Sequence, residues 1–169
     1  MAMGTRQQRQ RSQPLWYRAE LVEAPGHPFY QKLNRALEAA GFDRFCEEQC
    51  QEFYARKLGR PSLAPGVYFR LMLLGLFEGI DSERGIAWRA ADSLSLRRFL
   101  GYGIDEATPD HATISRTRRL IDAQTRQQVF GWALEQLARA GLIRGRTIRV
   151  DSAAFKANAA VLAGIEETG

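Results

Sequence analysis

The stretch Val67-Tyr68-Phe69-Arg70-Leu71-Met72-Leu73-Leu74-Gly75-Leu76-Phe77-Glu78-Gly79 decides the fold class. Leu71, Met72, Leu73, Leu74, Leu76 and Phe77 leave a helix no polar face, and a helix apolar nearly all round belongs in the centre of a domain. Pro65, just upstream, suits the first turn of a helix, where its missing N–H is not needed. The spacing predicts a hub helix over 67–79. Its longest apolar run, between Arg70 and Glu78, is far too short for a bilayer, which takes about 20 apolar residues.

Upstream of the hub, Pro25-Gly26-His27-Pro28 reads as a turn. Phe29, Leu33, Leu37 and Ala40 follow at helical spacing and stop at Gly41. Phe42, Phe45, Gln49, Phe53 and Tyr54 form the stripe of a second helix, broken at Leu58-Gly59-Arg60-Pro61. Downstream, Ser82 reads as an N-cap with Glu83 in the first turn, ahead of the small-residue face of Ile86, Ala87, Ala90 and Ala91. Leu94, Leu96, Phe99 and Leu100 mark another helix, ended by Gly101. Thr108-Pro109-Asp110 reads as cap, first-turn proline and first-turn acid of a helix over 110–122. That helix carries Ile114, Leu120 and Ile121 inside and Arg116, Arg118 and Arg119 mostly outside. A long helix over about 124–140 follows, stopped by Gly141. Trp88 and Trp132 read as core or half-core residues.

At Thr147-Ile148-Arg149-Val150-Asp151 the pattern changes to strand alternation, with Ile148 and Val150 on one face. A lone strand lacks partners for its N–H and C=O groups. It is therefore expected to begin a second domain of which the chain carries only the start. The expected fold is mainly α, a bundle of about six to seven helices with one C-terminal β-strand. The expected divisions are a basic flexible tail over 1–24, a helical domain over 25–142 and the truncated start of another domain over 143–169.

Composition narrows the function. The 169 residues are 45% hydrophobic and 25% charged, ordinary globular values. A net charge of +5 and a pI near 9.6 favour polyanionic partners, nucleic acid first. Two cysteines, Cys46 and Cys50, exclude a disulfide scaffold and fit a reducing, cytoplasmic setting. Their i,i+4 spacing marks one helix face, and two small buried residues are expected there rather than a metal site, which needs two more ligands. No apolar leader stands at the start.

Two places carry candidate chemistry. Asp151, at the carboxyl end of the expected strand, suits a divalent metal, although an acid there is more often a turn-former or helix cap. The arginine-bearing helix, with the helix before it, could form a helix-turn-helix-like pair. His111, Thr113, Ser115 and Arg116 would then present donors to base edges, and Arg118 and Arg119 would suit phosphates. A solvated basic face on a bundle helix explains the same residues.

Three ordered tracts carry a family resemblance: Pro65-Gly66-Val67-Tyr68-Phe69-Arg70-Leu71, Phe77-Glu78-Gly79-Ile80-Asp81-Ser82-Glu83-Arg84 and Thr108-Pro109-Asp110-His111-Ala112-Thr113-Ile114-Ser115-Arg116. They resemble the amino-terminal domain (InsH type) of bacterial insertion-sequence transposases. Arg149-Val150-Asp151-Ser152-Ala153-Ala154-Phe155-Lys156-Ala157-Asn158-Ala159 resembles the tract around the first acid of the DDE centre in that family. The resemblance implies a helical domain followed by an RNase H-like catalytic domain. It also implies three carboxylates that hold two magnesium ions for DNA cleavage and strand transfer. Asp151 would be the first acid and a metal ligand; the other two would lie beyond Gly169, so no cofactor is expected for this chain alone. Ser152 and Ala153 depart from the family pattern of glycine or alanine, then threonine. The implied partners are transposon-end DNA, a second copy of the chain and the full-length transposase. The implied role is DNA binding or positioning in the nucleoid, with self-association, dominant-negative regulation or an inert truncated copy as alternatives.

Overall fold

The hub expected at 67–79 is a helix over Pro65–Glu78 in the computed structural model, which describes residues 3–4, 26–54 and 62–143. Every residue from Pro65 to Leu76 is buried. The hub is the third of seven α-helices among the described residues. They are α1 (Pro28–Ala39), α2 (Phe42–Cys50), α3 (Pro65–Glu78), α4 (Glu83–Asp92), α5 (Leu94–Leu100), α6 (His111–Leu120) and α7 (Ala123–Arg139). A short 3-10 turn, Gln51–Phe53, extends α2. No strand occurs among the described residues, and the strand expected at 147–151 lies outside them.

α3 packs against α2, α4 and α5, while α1, α2 and α7 pack on one another. α6 rests chiefly on α4, at the edge of the bundle. The capping chemistry is largely local. Pro65 is the first residue of α3, as its fixed φ predicts. The hydroxyls of Ser82 and Ser93 accept from Gly85 N–H (3.0 Å) and Leu96 N–H (3.3 Å), capping α4 and α5. Gly79 ends α3 at φ 65°, a left-handed turn in which Ile80 N–H returns to Gly75 O at 2.8 Å.

The cap of α6 differs from the sequence reading. Asp110, not Thr108, caps the helix, accepting from Thr113 N–H at 2.7 Å, and the buried Pro109 precedes the cap. A carboxylate two residues past the threonine reaches the N–H that needs a partner, so the acid replaces the hydroxyl. The stripe of α2 is also shifted. Phe42, Cys46 and Cys50 form its buried seam, with Phe45 half-buried beside them. Burial pushes the Cys50 thiol up to about 12 and the Cys46 thiol well above its ordinary range, so both act as small apolar side chains. Trp132 stacks on Phe45 at 4.0 Å between centroids and joins α7 to α2.

The centre of this core holds a charge. The Arg70 side chain is 0% exposed on the most apolar helix of the chain. Its Nη1 and Nη2 donate to the two oxygens of Asp43, at 2.5 and 3.0 Å. Nη1 also donates to Gly66 O and Nε to Asn34 Oδ1, both at 3.2 Å. The guanidinium lies 4.9 Å from the Phe42 ring centroid and 5.9 Å from that of Phe99. Gly66 makes room for this pair: a Cβ there would overlap the Asp43 carboxylate.

Two expectations follow. Asp43→Ala leaves a buried guanidinium without its counter-ion and should cost about 3–5 kcal/mol in a urea titration, the lower end reflecting the partial exposure of Asp43. Gly66→Ala, which in an ordinary helix interior would gain about 1 kcal/mol, should here destabilise by about 1–3 kcal/mol through overpacking. A gain in the same titration would refute the steric role of Gly66.

Candidate nucleic-acid interface

α6 lies at the edge because only one of its sides is apolar enough to bury. Ile114 and Thr117 form that side, and Ile121 continues it just beyond the helix. The Thr117 hydroxyl donates to Thr113 O at 3.0 Å, so the one buried polar side chain of the helix is satisfied within it. Arg116 and Arg119 stand on the opposite, exposed side, around Ala112. His111, at the amino-terminal end, is exposed, and Thr113 and Ser115 are partly exposed.

The first turn is a hydrogen-bonded chain. Arg116 Nη2 donates to Thr113 Oγ1 at 3.1 Å, and Asp110 accepts from the Thr113 backbone N–H. Hydrogen bonds from Thr113 hold the Asp110 carboxyl below the usual carboxylate range, with Arg116 and His111 adding to the shift. Thr113 and Arg116 thus support the helix start as well as facing solvent.

Arg118 is placed differently from its neighbours. It follows Ile114 by four residues, which sets it at the buried edge of the helix. Its Nη1 meets Glu83 Oε1 at 3.3 Å, joining the last turn of α6 to the first turn of α4. The sequence reading set Arg118 with Arg119 on the outer face; the structure separates them. It also changes the expected helix pair, because α6 packs on α4 rather than forming a compact unit with α5, the helix before it. The reason is the connection between α5 and α6. Arg97 holds it, donating from Nη1 to Glu106 O (2.8 Å) and Gly103 O (3.3 Å) while Nε reaches Ala91 O (3.0 Å). The loop is an ordered element of its own, and it carries α6 over to α4.

Trp88 corrects another expectation. It is 65% exposed, because α4 buries the Ile86, Ala87 and Ala90 side and turns residue 88 outward. The two sites that sequence reasoning missed, Arg70–Asp43 and Glu83–Arg118, join residues 27 and 35 positions apart, so local spacing held no signal for either pairing.

Asp151 lies outside the described residues. Among those described, no group of three or more His, Cys, Asp or Glu could hold a metal ion, and no helix is long and apolar enough to cross a membrane.

One family pattern matches: the transposase domain DUF772, over residues 17–120. The match takes in α1 to α6, including the hub, the Arg70–Asp43 pair and the arginine face of α6. No match was found among curated proteins or among solved structures. Because the matched region covers more than half the chain and six of the seven described helices, this chain belongs to the transposase domain family.

Proposed function

We propose that the helical domain binds or positions transposon-end DNA for DDE-type cleavage and strand transfer, with α6 as its main contact. The observation that carries this reading is an edge helix anchored on one side by Ile114 and Thr117 and presenting Arg116 and Arg119 on the other. Arginine suits the task because its planar fork matches both phosphate oxygens and the acceptor edge of guanine. The exposed His111 and the partly exposed Thr113 and Ser115 add shorter donors toward the amino-terminal end of the helix, the end that usually meets base edges. Glu83 helps fix the angle of the helix through Arg118. The net charge of +5 strengthens the long-range attraction of a polyanion.

In the same reading Asp151 is the first of three acids that hold two magnesium ions. A single carboxylate cannot balance four positive charges, so DNA binding by the helical domain is separable from metal-dependent chemistry. Asp151→Asn is accordingly expected to leave DNA affinity in metal-free buffer unchanged.

Fluorescence anisotropy against terminal inverted-repeat DNA and a scrambled duplex, at low and physiological salt, tests the proposal. Preferential binding to the repeat, weakening steeply with salt, is expected. Arg116→Ala and Arg119→Ala should each lower the log–log salt slope by about 0.9. Salt-independent binding, or none at low salt, would sink the reading.

The cap gives a second test. Asp110→Ala should cost about 0.5–2 kcal/mol and fray the first turn of α6, seen as faster amide exchange at Thr113. The Asp110 carboxyl lies below its ordinary value in the folded chain, so the stability it adds is fully present at neutral pH. It is lost as acidification takes pH down through the folded value, and protection at Thr113 should fall in that window and not above it.

A further inference from the structure

α4 and α6 lie side by side and run in opposite directions, because two ties hold them at their ends. Arg118, in the last turn of α6, meets Glu83, the first residue of α4. At the other end Arg97 clamps Gly103 O and Glu106 O, on the approach to α6, beside Ala91 O in the last turn of α4. Each residue turns a helix by about 100°. Counted from Glu83, Arg84 and Trp88 lie about 100° and 140° round α4. Counted from Arg118 in the same sense, Arg119 and Arg116 lie about 100° and 160° round α6. Antiparallel helices seen from one end wind in opposite senses, so these turns away from the contact bring both sets to one side of the pair. Burial agrees. Turning the other way reaches Ile86 and Ala90 on α4 and Ile114 and Thr117 on α6, and all four are buried.

One outer face thus carries an indole and three guanidiniums. Trp88 is 65% exposed, and Arg84, Arg116 and Arg119 are exposed. Among the described residues, Trp88, Arg84 and Arg119 make no side-chain hydrogen bond, ion pair or ring contact. Gly85 and Ala91, each three residues from Trp88, are too small to cover its ring. The carboxylates stand elsewhere. Asp92 and Asp110 mark one end of the pair, Asp81 and Asp122 the other, and Glu83 is matched by Arg118. Arg89 turns to Glu78 of the hub, and Arg97 to backbone carbonyls. The middle of the face is therefore positive with an aromatic ring set in it. That is the composition of a single-strand platform, in which cations follow the phosphates and a ring takes a base. In a duplex each base is covered by its neighbours, so an indole can stack only on a base that has left the stack.

We propose that the outer face of the α4–α6 pair binds unpaired DNA, with one base stacked on Trp88 and the flanking phosphates on Arg84 and Arg119. The inference rests on the DNA-binding reading of α6 and extends the contact to α4.

Titrating the full chain with a short oligothymidylate, read by tryptophan fluorescence and by anisotropy, tests it. Quenching on binding is expected. Trp88→Ala should abolish the quenching and raise the dissociation constant about tenfold. Trp88→Phe should lose the quenching yet keep most of the affinity, because a ring remains to stack on. Arg84→Ala should lower the log–log salt slope by about 0.7, the single-strand value for one phosphate. Because both residues are exposed, the thermal unfolding midpoint should not move, which separates lost binding from lost folding. Oligothymidylate binding that Trp88→Ala leaves unchanged would overturn the proposal. So would binding of the duplex repeat without binding of oligothymidylate, an outcome that leaves the role of α6 standing. Failure to bind either DNA would overturn both readings.

Discussion

The structure depends on a buried ion pair that four helices share. Arg70 belongs to α3, its counter-ion Asp43 and the Phe42 ring to α2, Asn34 to α1 and the Phe99 ring to α5. Taking a guanidinium out of water is costly, and attraction to one carboxylate does not by itself offset that. Here four of its five N–H donors have acceptors, and aromatic faces lie within reach of its carbon. Such an arrangement is favourable only when every partner is in place. It selects one relative placement of four helices, where leucine contacts alone would tolerate several.

The hub carries two glycines that a helix would ordinarily do better without. Gly66 leaves room for the Asp43 carboxylate, and Gly75 lets Ile86 of α4 lie against the helix backbone. A Cβ at residue 75 would stand 2.7 Å from Ile86 Cδ1 and 3.0 Å from Ile80 O. One glycine thus sets the distance of α2 from the hub, and the other sets the distance of α4. Since α6 is mounted on α4, the position of the arginine face depends on how closely α4 approaches the hub.

Much of the architecture was legible because it rests on local rules. The apolar run of residues 71–77, the proline at 65, the serine cap at 82 and the glycine stops each act within a turn or two of sequence, and the helices lie where these signals place them. What escaped was pairwise and distant. Arg70 read as a flank of the apolar run and proved to be its most buried charge. Arg118 read as one of three outward arginines, yet it follows the buried Ile114 by four residues and meets an acid on another helix. Trp88 read as core or half-core, but its place on α4 is opposite Ile86 and Ala90. The arginine face itself was legible, since Arg116 and Arg119 lie across the helix from Ile114.

The edge placement of α6 has a dynamic consequence. The helices around Arg70 share one network in which each supplies a partner, so they should open together, at close to the full cost of unfolding. α6 has no part in that network. Among the described residues, its ties to the bundle are a short apolar seam and the contact between Glu83 and Arg118, which remains partly open to water. The chain is therefore expected to have an unequal stability profile, with an interior that opens as one unit and an edge helix that frays without disturbing it. In the proposed DNA-binding role, that lets the helix adjust to the surface it meets while the cost of the adjustment stays local.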